Sequence, residues 1–334
     1  MKVIKTCSNY NNGGTNMREV PFEEYLEFIK KHDHVIIENQ RIEIGKPIPI
    51  KTFQPQNFKL ETTTVWSFPE RGKWATHYAN AKYRGNWAPQ VPRNLILQYT
   101  KPGDTVLDAF LGSGTTLIEC KLLGRHGIGV DINYEALMVA WDRLNFEYDP
   151  RKDGQPTLSS YLGLKESIEW VEPQIRLYHG DARKLDKIED ESIDLIATHP
   201  PYANIIGYTK RARSPVNGDL SNVNSIDEFI SEMKKVAEEF YRVLKPGKYA
   251  AILMGDTRRH RHYVPIAFRV MKVFLEAGFI LKEDIIKVQH HMRGTEPWKT
   301  RKRDFYLIAH EHLFVFRKSG EEEKTEKFRE SRVV

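Results

Sequence analysis

Cysteine is nearly absent: Cys7 and Cys120 are the only two in 334 residues. Two thiols make neither a disulfide framework nor a four-thiolate zinc site. Long apolar runs are missing as well. No stretch approaches the ~20 residues that span a bilayer, and the opening MKVIKTCSNYNN lacks the apolar segment of a signal peptide. The expectation is a soluble, cytoplasmic protein without internal repeats. His260, His262, His290, His291, His310 and His312 have neither Cys/His nor His-Glu-x-x-His spacing, so no metal is expected. What is present is ample apolar material, 40% of residues against 29% charged, which excludes a disordered or collagen-like chain. Lysine and arginine outnumber aspartate and glutamate by 51 to 45, and this net +6 favours a polyanionic partner. The length fits two ordinary domains or one large α/β domain with insertions.

Residues 1–65 carry no chemical signature. Phe22, Tyr25, Leu26 and Ile29 in FEEYLEFIKK have helical spacing, and HVIIENQRIEIG predicts a hairpin around Asn39-Gln40. Residues 66–100 are rich in Trp, Tyr, Pro and Gly and read as ordered loop. From residue 104 strands alternate with helices, the pattern of a mostly parallel sheet covered on both faces. The expected strands are TVLDAF, HGIGVDI, IRLYHG, IDLIATH and YAAILMG; helices begin near Thr115, Tyr134, Ile226 and Val264. A charged stretch at 149–173 reads as an insertion. The last two strands, FILKEDIIKVQ and FYLIAHEHLFVF, have no helix between them and must pair antiparallel, because parallel neighbours need a crossover. Residues 319–334 form a charged tail expected to fray.

TVLDAFLGSGTTLIE is a strand, a glycine turn and a helix start. Gly112 and Gly114 allow close backbone approach to a ligand, and the amides of the helix start attract negative charge. Asp131 stands at the end of the next strand, where a carboxylate accepts hydrogen bonds from a ribose diol. Asp181 ends the strand after that, where a carboxylate or a neighbouring backbone group can meet an adenine edge. On these residues alone the nucleoside belongs equally well to NAD or to S-adenosylmethionine. A tight turn that simply needs two glycines is the alternative, made less economical by Asp131.

His199-Pro200-Pro201-Tyr202 comes directly after the apolar strand IDLIAT, at the sheet edge where open α/β folds bind ligands. Two prolines remove two backbone donors and leave carbonyls free to accept. Tyr202 offers a ring on which a base can stack. An exocyclic base amine is a poor nucleophile, because its lone pair is delocalised. Acceptors on its two hydrogens help it pyramidalise and attack a methyl sulfonium in line, and position 199 and the Pro200 carbonyl are suited to supply them. An ordinary Pro-Pro turn is the plain alternative.

Together these segments resemble the S-adenosylmethionine-dependent DNA amino-methyltransferases, which methylate cytosine N4 or adenine N6. The family's Asp-Pro-Phe-x-Gly-Ser-Gly-Thr-Thr stands here as Asp108-Ala109-Phe110-Leu111-Gly112-Ser113-Gly114-Thr115-Thr116, and its Asp/Asn/Ser-Pro-Pro-Tyr stands as His199-Pro200-Pro201-Tyr202. RVLKPGKYAAILMGD and the closing HEHLFVFRK extend the similarity over about residues 66–318. The resemblance implies a Rossmann-like class I methyltransferase fold and S-adenosylmethionine as cofactor. It implies cofactor contacts from Asp108, Phe110, Gly112, Gly114, Thr115, Asp131 and Asp181. The stretch KWATHYANAKYRGNWAPQVPRNLI resembles the segment that holds the methionine part, which adds Arg84 and Asn86. His199, Pro200, Pro201 and Tyr202 take the catalytic role. Thr198-His199-Pro200-Pro201-Tyr202 lies closest to the Thr-Ser-Pro-Pro-Tyr form of cytosine-N4 enzymes, and only a neutral His199 can accept a hydrogen bond.

Two basic loops flank these motifs. One carries Lys210, Arg211 and Arg213; the other carries Arg293, Lys299, Arg301, Lys302 and Arg303 around Trp298. Solvated charged loops look the same in sequence, but beside a base pocket they are expected to contact DNA phosphates and grooves. Neither cysteine adjoins Pro-Pro-Tyr, which disfavours carbon-5 cytosine chemistry. The expected partner is DNA, with a cognate restriction enzyme as a further candidate. RNA or protein-amide methylation, and an inactive nucleic-acid-binding relative, are the competing readings.

Overall fold

The structure, a computed structural model, describes residues 16–83, 85–150, 170–201, 216–291 and 299–332. Its parallel centre is β5 (Thr105–Asp108), β6 (His126–Asp131), β7 (Ile175–His179), β8 (Ile193–Thr198) and β9 (Leu244–Met254). Two further long strands, β12 (Ile280–Val288) and β13 (His310–Arg317), form an antiparallel pair, and β13 runs antiparallel to β9. Short strands β1 (Arg18–Glu19) and β4 (Val65–Ser67) complete the sheet, which among the described residues has nine strands in the order β1-β7-β6-β5-β8-β9-β13-β12-β4. This is the Rossmann-like class I methyltransferase arrangement, mostly parallel and ending in the antiparallel pair. Two small hairpins stand apart: β2 (His34–Ile37) with β3 (Gln40–Glu43), and β10 (Thr257–Arg259) with β11 (His262–Val264).

The central strands are apolar on both faces, as strands covered on both sides must be. Leu107, Ile196, Ile252, Phe314 and Phe316 pack on α5 (Ile226–Val243) and α6 (Ile266–Glu276). Their neighbours Val106, Leu195, Leu253 and Val315 face α2 (Gln90–Tyr99) on the other side. Sequence determines these helices in a simple way. In α5, Phe229, Met233, Val236, Phe240 and Val243 recur at helical spacing and are buried, while the Ser225 hydroxyl accepts the Glu228 amide at 3.0 Å. Such a cap is worth about 1 kcal/mol. The helix expected near Val264 begins at Ile266, because Thr257 to Val264 pair as a hairpin first.

Residues 16–65 share a core with α4 (Tyr134–Leu144). Tyr25, on α1 (Phe22–Ile29), donates its hydroxyl to Asp142 at 2.8 Å, and Trp141 donates its indole N–H to the Val20 carbonyl at 2.9 Å. The tail is described as far as Arg332 and is anchored rather than frayed at its start: Arg317 pairs with Glu323 at 2.6 Å and a 3-10 turn spans Thr325–Ser331. Residues 151–169, most of the expected insertion, lie outside the described residues.

Candidate active site

Three strand ends converge at one edge of the sheet. β5 ends at Asp108, β8 at Thr198, and β6 at Asp131, two residues past the level of Asp108. The glycine turn after β5, His199 after β8 and the start of α4 after β6 are therefore brought within reach of one another. The pocket there is lined by Tyr83, Gly85, Asn86, Trp87, Asp108, Phe110, Leu111, Gly112, Ser113, Thr115 and His199. It unites the glycine turn, the first residue of the Pro-Pro-Tyr segment and the aromatic stretch before α2.

Asp108 is a tie at the base of the site. Its Oδ2 accepts the Thr116 hydroxyl at 2.5 Å, from α3 (Thr115–Leu123), and its Oδ1 accepts the Thr198 hydroxyl at 2.6 Å. The Phe110 amide is shared between Asp108 and Thr198, both at 3.2 Å. Burial pushes the Asp108 carboxyl up to about 6, against the lowering effect of these donors. This aspartate links the glycine turn to the residue before His199.

Asp131 is held by backbone. Its Oδ2 accepts the Gly112 amide at 2.8 Å and its Oδ1 accepts the Asn133 amide at 2.8 Å. Each carboxylate oxygen has a second lone pair, so a diol can still be bound. Burial raises this carboxyl to about 7, again against those two donors. Gly112 has φ of +53°, and a Cβ there would come within 3.1 Å of the Tyr83 ring. Gly114, at φ +82°, serves a different end: a Cβ would meet Ala140 of α4 at 3.2 Å, so its bareness lets α4 close on the turn. It does not belong to the pocket wall.

Two hydroxyls on the wall, Ser113 Oγ and Thr115 Oγ1, are buried and have no hydrogen-bond partner among the described residues. Buried polar atoms without partners are costly, so these point to a polar ligand in the pocket. Aromatic walls and orphaned hydroxyls thus fit a nucleoside with a charged tail, while Asp131 stands outside the pocket lining, joined to it through the Gly112 amide.

The aromatic stretch is fixed from behind by a buried network. Glu119 accepts the Trp74 indole N–H, the His77 Nε2–H and the Arg93 Nη1–H, each at 2.7 Å. Burial works against its ionisation, but Arg93 and His77 prevail and hold Glu119 below the usual carboxylate range. Glu119 lies on α3 and His77 opens the 3-10 helix His77–Lys82 that leads to Tyr83, so the network joins two walls of the pocket.

The other sequence candidates are placed unevenly. Asp181 is not on the pocket wall; Arg183 grips both its oxygens, through Nε at 2.8 and 3.0 Å and Nη2 at 2.5 Å. Pro200 and Pro201 continue from His199 at the edge. Arg84, Tyr202, Lys210, Arg211, Arg213, Arg293 and Trp298 lie outside the described residues. Lys299, Arg301 and Lys302 are exposed, whereas Arg303 is half-buried and donates to the carbonyls of Lys299 and Arg301 at 3.1 and 3.3 Å. Tyr83 and Trp87 belong to the site without standing out in the sequence, whereas Ser113 and Thr198 stand within the motif segments without a role assigned to them there. The aromatic density of 66–100 is the available signal for the first two.

Comparison with known proteins bears on this edge. The chain is 42% identical over 91 residues to the Type II methyltransferase M.HpaI of Haemophilus parainfluenzae, which is 26% of this chain and 27% of that one. It is 36% identical over 161 residues to the Type II methyltransferase M.MjaII of Methanocaldococcus jannaschii, 47% of this chain and 28% of that one. It is 31% identical over 121 residues to a tRNA (guanine(10)-N2)-dimethyltransferase of Methanothermobacter thermautotrophicus, 36% and 29% respectively. The matched segments thus span little more than a quarter of each relative's length. Residues 6–141 and 193–333 match the DNA methylase family, a span that includes every described wall of the pocket and both motif segments. The chain belongs to the DNA methylase family.

Proposed function

We propose that this chain transfers a methyl group from S-adenosylmethionine to the exocyclic amine of a DNA base, cytosine N4 in preference to adenine N6. The observation that carries the reading is the placement of His199 against the glycine turn, with Asp108 tying both together through Thr198 and Thr116. When bound, S-adenosylmethionine supplies an electrophilic methyl group on a sulfonium. Asp131 would accept hydrogen bonds from its ribose, and Ser113, Thr115 and Asn86, which line the pocket, would hold its polar remainder. The target base leaves the duplex, at a cost of a few kcal/mol in stacking and pairing. Neutral His199 and the Pro200 carbonyl would accept hydrogen bonds from the amine, turning the nitrogen lone pair out of conjugation; as the nitrogen–methyl bond forms, the methyl–sulfur bond breaks to leave a thioether, and the surplus amine proton passes to His199 or to water. Tyr202 stacks on the base. The rate then comes from positioning and from exclusion of water at this edge.

Cytosine is favoured by the Thr198-His199-Pro200-Pro201-Tyr202 sequence, the form nearest to cytosine-N4 enzymes. That two relatives are Type II methyltransferases supports a restriction enzyme of the same site as functional partner. The tRNA methyltransferase among the relatives supports a second reading, with RNA as acceptor. Labelled methyl transfer to duplex DNA and to RNA, together with sequencing of the methylome of an expressing host, decides both acceptor and base. Transfer to RNA alone would reject the DNA reading; label in adenine alone would reject the preference for cytosine.

A further inference from the structure

The hairpin β10–β11 rises from the same edge as the pocket. Thr198 of β8 is level with Ile252 of β9, and the hairpin starts five residues beyond, at Thr257. Its residues from Thr257 to Val264 include Arg258, Arg259, His260, Arg261 and His262 and no acid. Arg259 pairs with His262, so His260 and Arg261 form the two-residue turn, with φ of +48° and +70°. Asn-Gly is the low-strain choice for such a turn. Here histidine and arginine hold the left-handed region, and strain of this kind collects at functional positions.

The hairpin is braced at both ends. At its base, Asp256 accepts the Tyr263 hydroxyl and the Ala267 amide. Along its side, Arg258 donates to the Tyr306 carbonyl at 2.8 and 3.1 Å and lies over the Phe305 ring at 5.0 Å. Arg261 pairs with Asp304 at 2.7 Å. These contacts join the hairpin to the segment that carries Lys299, Arg301 and Lys302, and make one basic surface of two separate stretches. The residues from Arg259 to His262 are all exposed, and Tyr306 beside them is 89% exposed.

We propose that the tip of β10–β11 is a DNA-contacting element, with Arg259 and Arg261 at phosphates of the strand that borders the extruded base. A stiff ribbon with a cationic tip and no acid fits a duplex backbone, and its root lies within a few residues of the catalytic edge. This role rests on the proposed action on DNA.

The test is the salt dependence of binding to a mixed-sequence duplex by the full chain. Arg259→Gln with Arg261→Gln is compared with Lys101→Gln with Lys187→Gln, which removes the same charge from exposed sites elsewhere. The hairpin pair is expected to flatten the slope of log K against log salt by about 0.9 per lost contact, and the control pair to leave it unchanged. Asp304→Asn removes the acid facing Arg261 and is expected to tighten binding. Equal slopes in the two pairs, or weaker binding by Asp304→Asn, would overturn the hairpin's role while leaving the DNA reading intact. A wild-type chain that binds S-adenosylmethionine and RNA but no duplex would overturn both.

Discussion

The indole of Trp87 stacks on the imidazole of His199, ring centroids 6.2 Å apart and planes 25° from parallel. Trp87 is buried and His199 is part of the pocket wall, so a residue from the stretch before α2 sets the orientation of a residue after β8. The stack matters because an acceptor must meet the amine hydrogens from a fixed direction.

His199→Ala is accordingly expected to abolish most turnover while S-adenosylmethionine affinity stays within about twofold, since the lost contact belongs to the transition state. Trp87→Phe should keep most activity and Trp87→Leu should lower kcat. His199→Ser keeps an acceptor at this position and should retain part of the turnover. Steady-state kinetics beside calorimetric cofactor titration separates the effects, and normal turnover by the alanine variant would remove His199 from the mechanism.

Asp131 should make cofactor binding depend on pH. Its carboxyl is raised to about 7, so below that pH it is protonated and one oxygen becomes a donor instead of an acceptor. Affinity for S-adenosylmethionine is expected to fall as pH drops below about 7, by no more than about tenfold per unit. At alkaline pH, Asp131→Asn should bind more weakly by about 1–3 kcal/mol. Its profile should be flat through neutrality. Calorimetric titration of both proteins on either side of neutral pH checks the two expectations.

Glu119→Gln leaves the buried Arg93 guanidinium without its counter-charge. A loss of about 3–5 kcal/mol in unfolding free energy is expected, as for other broken buried pairs. Cofactor affinity should fall with it, because His77 no longer holds the path to Tyr83. Urea titration and cofactor titration on the same variant should move together; intact binding in a destabilised variant would uncouple the network from the pocket.

Replacing Lys299, Arg301 and Lys302 with alanine should weaken duplex binding at all sequences alike and reduce the salt slope by about 0.9 for each phosphate contact. Arg303→Ala should differ, since its guanidinium ties the carbonyls of Lys299 and Arg301 and its loss loosens the loop itself. Fluorescence anisotropy over a salt series distinguishes a lost charge from a lost scaffold.

The strands around the site are legible in the sequence because each is a short apolar run that gives way at once to a chemically distinct group: Asp108, Asp131 and Thr198-His199. The terminal antiparallel pair is legible from the missing crossover. What is not legible is tertiary. Asp181 ends a strand in the right series, yet Arg183, two residues on, grips its carboxylate, and only the fold of that turn shows it. Gly114 reads like Gly112 in sequence, but one glycine admits Ala140 and the other lies under Tyr83. Glu119, His77 and Arg93 are too far apart along the chain for any local pattern to join them.

The sheet's two outer strands both come from the first 67 residues: β1 lies beside β7 and β4 beside β12. Both outer strands therefore precede their partners in the chain by more than 150 residues. Ile286, opposite Val65, emerges more than two hundred residues later, roughly ten to forty seconds of synthesis at ~5–20 residues per second. Until then β4 has no strand to join, and afterwards both sheet edges are formed by strands of two and three residues, too short to recruit other chains readily. The sheet is thus bounded on both sides by contacts of long sequence separation, the kind that form slowly because the intervening chain must close first.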